Sequence, residues 1–418
     1  MKVIISGGGI AGLSAAKALT RLPFIASVKI IDNAATDRRL IDNTYTGLWS
    51  PSIFILSKYG VDIERNICYV KKSGYRSTDG RWLAQPKKGL GTDYRKEPCL
   101  GFIKDKDLLT ALITSLPSSV SFINESIISV VEISNKVITA VSNTGNIYEA
   151  DLIIAADGKN STIRKCLHND NNTLKYRGYE VYRGHSTSLF HFAYKHRISE
   201  DAFQTWGPGL RFATVPTYEG NAWFMASSIN KTIANANTIK GEHSVINKEK
   251  FEDLVAMVSN WHNPIAELLA NTDNGHLGVI VCDAYGGSST KLPQSVLSNN
   301  NNTGVAFVGD ASYCLDPILA QGTGLAIEHS YLLAKALEQY KNTNDLGKAL
   351  KYFDEMKVER QLRLHYLSDI SQSIGCLHDK NMIKTRDHIM AFLYENYKDT
   401  IGSCFDKVIQ FSSSNRFL

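Results

Sequence analysis

Three glycines near the N terminus constrain this chain more than any other feature. Gly7, Gly9 and Gly12 fall in the spacing Gly-x-Gly-x-x-Gly. The apolar run Lys2–Ser6 precedes them, and a helical pattern rich in Ala and Leu, Leu13–Leu22, follows. A second apolar run, Val28–Ile31, then ends in Asp32, about 20 residues beyond the last glycine, as in dinucleotide-binding βαβ units. Gly7 permits a tight turn, Gly9 lets backbone approach a diphosphate, and Gly12 allows the helix to pack closely on the strand. The helix N terminus offers unpaired N–H groups and a positive dipole end to the phosphates. Asp32 is placed to accept from a ribose hydroxyl. A glycine-rich turn without a ligand is the bland alternative, but strand, spacing and acid all occur together here.

Two later segments repeat the pattern of strand, acid and loop. Ala150–Ile154 leads into Asp157-Gly158 and then a Ser/Thr-rich helix start at Ser161-Thr162. Val305–Val308 leads into Gly309-Asp310, a loop bent at Pro317, and the glycine-containing stretch Gln321–Gly324, which opens a helical pattern over Leu325–Tyr340. Taken alone, each is a generic strand-to-helix link. Together with the first glycine loop they imply one long ligand held from both ends of the chain.

Composition narrows the class further. The chain has 418 residues, 43% of them hydrophobic and 21% charged, as in ordinary globular proteins. Its net charge is +5 with no dense Lys/Arg run, which argues against nucleic acid and against a charged membrane footprint. The seven cysteines, at 68, 99, 166, 282, 314, 376 and 404, form no Cys-x-x-Cys pair. They suggest neither a metal site nor a disulfide framework, and fit a reducing, cytoplasmic setting. No stretch reaches the ~18 apolar residues of a membrane span.

In this order the marks Gly7–Gly12, Asp157-Gly158 and Gly309-Asp310 resemble the single-component, class A flavoprotein monooxygenases, the FAD-dependent aromatic hydroxylases that include salicylate and urate hydroxylase-like enzymes. Lesser matches are Thr46–Pro51, Gly178–Gly184, Trp206–Phe212 and Val215-Pro216, so the resemblance covers about residues 1 to 365. It implies an α/β (α+β mixed) fold: a Rossmann-like FAD-binding domain, an inserted β-sheet substrate domain and a C-terminal helical segment. The expected divisions are 1–68, 99–175 and 286–345 for the FAD-binding domain, 69–98 and 176–285 for the substrate domain, and 346–418 for the helical region. The helical region is expected to cover the back of the FAD domain or to meet a second subunit in a homodimer.

The resemblance implies FAD as cofactor, NADPH or NADH as transient cosubstrate, and O₂. The activity would be hydroxylation of a small aromatic or heteroaromatic substrate through a flavin C4a-hydroperoxide. Another flavin oxidoreductase reaction on the same fold (epoxidation, dehydrogenation or reduction) is the nearest alternative, and flavin binding without turnover a more distant one. The implied cofactor residues are Gly7, Gly9, Ala11, Gly12, Asp32, Asn33, Arg38, Lys104, Ile127, Asp157, Gly158, Asp310, Pro317, Ala320, Gln321, Gly322, Thr323 and Gly324. Asp310 would take a ribityl hydroxyl, since a carboxylate accepts strongly. The helix start near Ala320–Gly324 would face the flavin ring.

The chain departs from the family in three places. Ala320 replaces a usual glycine, Tyr313 a frequent histidine, and Asp105 an arginine that faces the FAD phosphates. A carboxylate beside a diphosphate repels it, so either a neighbouring lysine, Lys104 or Lys106, substitutes, or Arg38 or Arg39 serves, or FAD binding is weakened.

On the substrate side, Tyr69–Tyr75, Asp79-Gly80 and Trp82–Ala84 read as a hairpin. Residues 176–290 read as short strands interrupted by a helical stretch, Lys248–Leu269. Arg183, Arg211 and Tyr218 are the candidates for substrate contact, with His185 and Tyr313 behind them: an arginine to hold an anion, a Tyr or His to move a proton. Trp206 reads as sheet core in preference to a stacking platform. Asn299–Asn302 reads as a solvated loop, and 346–418 as long helices without chemistry, Leu346–Leu367 and Lys384–Tyr397 among them.

Overall fold

A computed structural model describes residues 1–33, 44–85, 99–168, 174–187, 201–228, 243–287, 292–343 and 345–398, with Leu90, Asp93 and Arg95. The first half of the chain runs β1 (Lys2–Ser6), α1 (Ile10–Leu19), β2 (Ser27–Ile31), β3 (Tyr45–Trp49), α2 (Ser50–Lys58), β4 (Cys68–Tyr69), β5 (Lys72–Ser77), β6 (Trp82–Ala84), β7 (Leu100–Lys104) and α3 (Asp105–Thr114). Next come β8 (Val120–Ile123), β9 (Ile127–Ile133), β10 (Ile138–Ser142), β11 (Ile147–Ala150), β12 (Leu152–Ala155), α4 (Thr162–His168), β13 (Leu174–Ser186), β14 (Asp201–Gly207), β15 (Leu210–Thr217) and β16 (Gly220–Ser227). The last part is β17 (Ser244–Val245), α5 (Lys248–Met257), α6 (Ile265–Ala270), β18 (Ile280–Gly287), β19 (Val296–Leu297), β20 (Gly304–Phe307), α7 (Gly322–Thr343), α8 (Leu346–Gly375) and α9 (Lys380–Asn396).

The first sheet has the order β19-β20-β12-β1-β2-β8 and is parallel apart from β19. Its register aligns Ser6 with Ile31 and Ala155, and Ala155 with Phe307. The loops after β1, β2, β12 and β20 therefore leave one edge of the sheet. This is the carboxyl edge, where open α/β sheets bind ligands. The three motifs separated by some 300 residues of sequence become neighbours for this reason.

Both faces of that sheet are covered, which explains why β1 reads as an unbroken apolar run. Val3 and Ile5 pack into the core beneath α1, α2, α3 and α7. Ile4 points the other way, into a second core against the meander β9-β10-β11. The bend at Gly7 is left-handed, with φ +101°. A side chain at Gly12 would put its Cβ 1.9 Å from the Gly7 carbonyl oxygen, so only glycine lets α1 start this close.

The second sheet is larger, with the order β17-β18-β13-β16-β15-β14-β5-β6. Alternation sorts its two faces. Leu210 and Phe212 of β15, Trp223 and Met225 of β16 and Tyr182 of β13 pack with residues of α5 and α6. Arg211, Ala213 and Val215 of β15 and Tyr179, Val181 and Arg183 of β13 line a cavity on the opposite face. α8 then packs back along α7, tied by a buried Arg360–Glu328 ion pair at 2.9 Å.

Several expectations are corrected. α1 begins at Ile10, not Leu13, and α7 at Gly322, not Leu325, because glycine and alanine starts carry no periodic apolar signal. The single helix expected over Lys248–Leu269 is two, α5 and α6, separated by a turn and the cis Asn263–Pro264 bond. Cys68–Tyr69 pairs with β7 in a small sheet with β3, not with the hairpin, which is formed by β5 and β6 alone. Trp206, by contrast, is buried core as expected, packed on Tyr75 at 4.3 Å between ring centroids. Arg38, Arg39 and residues 399–418 lie outside the described residues. Among the described residues no helix is long and apolar enough to cross a membrane, and no His/Cys/Asp/Glu cluster could hold a metal.

Candidate active site

A cavity of about 520 Å³ runs from the carboxyl edge of the first sheet to the open face of the second. At one end it is walled by Gly9, Ile10, Ala11, Ala156, Gly158 and Asp310, and along its side by Pro317–Ala320, Gly322 and Thr323. At the other end lie Tyr75, Phe203, Gln204, Arg211, Val215 and Phe224, with Phe102 and Tyr45 beneath.

The first end combines an uncapped helix start with two carboxylates, Asp32 and Asp310. No side chain caps the N terminus of α1, so its first-turn N–H groups are left for a ligand. Asp32 accepts from the Gly8 N–H, which holds the carboxylate of β2 against the glycine loop. Asp310 faces the cavity with no hydrogen-bond donor to its carboxylate among the described residues. Burial pushes its pKa up, and Lys159 and Arg164 pull it back.

Arg164, which sequence reasoning missed, fixes the floor of this end. Its guanidinium donates to the main-chain oxygens of Asp310 at 3.1 Å, Ala311 at 2.8 Å and Lys159 at 2.6 Å. His329 accepts from the Gly309 N–H at Nδ1, 3.1 Å away. Burial holds the His329 pKa well below its usual range, as an acceptor nitrogen requires.

The loop into α7 is held by another residue that the sequence did not advertise. Asp316 accepts from the Ile318 N–H at 2.9 Å, from Arg177 Nε at 2.6 Å and from the Tyr179 hydroxyl. It thereby clamps the loop to β13. Ala320 follows in the left-handed region, φ +51° and ψ 38°. This is the conformation a glycine adopts at no cost. Gln321 is buried, and its Nε2 has no partner. The Thr46 and Thr323 hydroxyls meet at 2.8 Å, joining β3 to the first turn of α7.

Not every implied cofactor residue reaches the cavity. Asp157 caps α4, accepting from the N–H groups of Thr162 at 2.8 Å and Ile163 at 3.3 Å, while Gly158 beside it does line the cavity. Ile127 is core of the meander. Asn33 is exposed beyond β2. Lys104 pairs with Glu219 and lies 5.8 Å from the Tyr45 ring centroid. Gln321 and Gly324 sit behind the wall formed by Ala320, Gly322 and Thr323.

Of the substrate candidates, Arg183 and Arg211 line the cavity and the other three do not. Tyr218 is 59% exposed and donates to the Ile67 carbonyl at 2.8 Å. His185 is buried between Asp273, at 2.8 Å, and Thr217, at 2.9 Å. Tyr313 bonds His365 Nδ1 at 2.6 Å. The exposed strand tip and the buried hydrogen-bond networks look alike in a single sequence, so alternation alone could not separate them.

Arg211 is 3% exposed. It donates to Gln204 Oε1 at 2.6 Å and to the oxygens of Ser371 at 3.3 Å, and its guanidinium lies 5.1 Å from the Trp206 ring centroid. These acceptors are all neutral. Among the described residues no carboxylate pairs with Arg211, and a guanidinium buried in that way is costly unless a ligand supplies the charge.

No model of a known protein family matches the chain. Among curated proteins it is 27% identical over 216 residues to aurachin C monooxygenase/isomerase of Stigmatella aurantiaca, covering 52% of this chain and 49% of that one. It is 24% identical over 377 residues to 3-amino-4-hydroxybenzoate 2-monooxygenase PtnB3 of Streptomyces platensis, covering 87% and 86%. Among solved structures, Klebsiella pneumoniae HpxO complexed with FAD and uric acid superposes with a TM-score of 0.78 at 20% identity, over 99% of this chain and 97% of that one. A salicylate hydroxylase substrate complex gives 0.72 at 16% identity, over 100% and 99%. The chain is thus similar in sequence to proteins named as monooxygenases, and it shares the fold of HpxO complexed with FAD and of salicylate hydroxylase.

Proposed function

We propose that the protein binds FAD in this cavity and uses NAD(P)H and O₂ to hydroxylate a small aromatic or heteroaromatic substrate carrying an acidic edge. The observation that carries this reading is the single cavity that joins the α1 glycine loop, Asp310 and the start of α7 to an aromatic-lined sheet face. The residues present fit the cofactor. The uncapped start of α1 would take the diphosphate and Asp310, which lines the cavity, a ribityl hydroxyl; Asp32, outside the cavity lining but held against the glycine loop, would take the adenosine ribose. The main chain at Ala320–Thr323 would meet the ring edge, where the N terminus of α7 favours negative charge. When bound, FAD supplies the redox and oxygen-transfer chemistry.

The chain's own tasks are then placement and exclusion. Phe102, Phe203, Phe224 and Val215 give an apolar slot that suits a flat ring and keeps water out. Arg211 orients the acidic edge of the substrate, held in place by Gln204 and by Ser371 of α8. Purified protein loaded with FAD tests the reading by NADH or NADPH oxidation across a panel of aromatic acids, phenols and heteroaromatic lactams. Substrate-stimulated oxidation that needs oxygen and yields a hydroxylated product supports it. Oxidation at the same rate without oxygen would favour a dehydrogenase or reductase.

A further inference from the structure

The site contains a pair of opposite charges that the proposed reaction leaves unused. Asp105 stands at the first position of α3, and its side chain faces the cavity. Its Oδ1 is enclosed and has no hydrogen-bond partner. Arg183 reaches the same cavity from β13 of the other sheet, and its Nε is likewise enclosed and unpartnered. The two are near enough for Arg183 to pull the Asp105 pKa down against the larger effect of burial, which raises it; Thr44 lowers it too.

A cofactor whose anionic arm passed the Asp105 carboxylate would meet like-charge repulsion in a medium of low dielectric. The lysines on either side of Asp105 do not line the cavity: Lys104 pairs with Glu219 and Lys106 is exposed. Arg183 and Arg211 both line the cavity, and Arg183 is the one that acts on Asp105. Asp105 and Arg183 keep unused hydrogen-bonding capacity on their enclosed atoms, as a site built for a further polar group should.

We propose that Asp105 and Arg183 act as one cofactor-binding unit, in which Arg183 supplies the cation for the phosphate-bearing arm of FAD and Asp105 orients it. The charge that holds the cofactor's anionic arm then comes from the substrate-side sheet, across the boundary between the two sheets. Cofactor affinity and the seating of that sheet are thereby coupled. This rests on the FAD reading above, and the test separates the two.

The experiment is a double-mutant cycle on FAD affinity, with dissociation constants of wild type, Arg183→Gln, Asp105→Asn and the double variant read from quenching of flavin fluorescence on titration of apoprotein. Arg183→Gln is expected to weaken FAD at least tenfold, because it leaves Asp105 uncompensated. Asp105→Asn is expected to leave affinity unchanged or improve it a few-fold. In the Asp105→Asn background the loss from Arg183→Gln is expected to shrink to about threefold. Additive effects, or Arg183→Gln within twofold of wild type, would overturn the pairing. If Arg183→Gln does not fold by circular dichroism, Asp105→Asn decides alone, and weaker binding there refutes the proposal. Wild-type apoprotein that fails to bind FAD would instead defeat the functional reading itself.

Discussion

Arg164 donates to the main-chain oxygen of Asp310 at 3.1 Å, which locks the loop after β12 to the loop after β20. Through this contact, and those to Ala311 and Lys159, two segments distant in sequence form one floor. The Asp310 carboxylate is left facing the cavity, and that is the group on which cofactor retention should depend.

Asp310→Ala is therefore expected to lose FAD without losing its fold. A hydrogen bond to a charged acceptor contributes about 1.5–3 kcal/mol, which corresponds to roughly 10- to 150-fold in affinity. Flavin content after gel filtration, beside a thermal melt of the apoprotein, measures both. Unchanged flavin content would show that Asp310 does not hold the ribityl chain.

Ala320 carries a left-handed backbone that glycine adopts freely. Relief of that conformation is worth about 1–2 kcal/mol, against about 0.5–1 kcal/mol of added chain entropy in the unfolded state. Ala320→Gly should thus raise stability by roughly 0.5 kcal/mol, measured by denaturant midpoint, with FAD affinity retained or improved. A clear loss of either would mean that the alanine methyl is itself part of the site.

Gly375 at the end of α8 lies flat against Arg211, so that a Cβ there would be 3.0 Å from the guanidinium carbon. Gly375→Ala should push Arg211 off its position and raise KM for acidic aromatic substrates a few-fold. Arg211→Gln should cost at least tenfold in kcat/KM for them and little for neutral aromatics. Equal losses for acidic and neutral rings would remove Arg211 from substrate orientation.

His329 gives a pH dependence whose sign is fixed. Burial lowers its pKa in the folded protein, so the unfolded chain binds a proton first. The stability this neutral side chain contributes is present above the unfolded value of about 6.5 and is lost as pH falls below it, by about 1.4 kcal/mol per pH unit. His329→Gln, which keeps an acceptor for Gly309, should show one proton less of slope between pH 6.5 and 5 in urea melts. Parallel slopes would contradict the assignment.

The glycine loops and the strands that flank them were legible in the sequence because each rests on local chemistry, and the two sheets followed from the family resemblance. Glycine spacing, strand-terminal acids and apolar runs all act within about ten residues. The clamps that shape the site were not legible. Asp316 serves Arg177 and Tyr179 across 139 and 137 residues, and Arg164 serves Asp310 across 146. Nothing in the residues flanking these side chains marks them as partners. The same limit explains Asp157, a plausible cofactor ligand by position that the fold uses as a helix cap. It also explains Tyr218, whose strand tip lies outside the cavity. Asp105 was visible as an anomaly, but only the fold brought Arg183 to it.

The most direct measurement is the visible absorption of the purified protein after incubation with FAD and removal of free flavin. The structure predicts a yellow protein, with flavin bands shifted from those of free FAD and about one flavin per chain. A protein that stays colourless would contradict the central claim that the cavity between the glycine loop, Asp310 and the start of α7 is an FAD site.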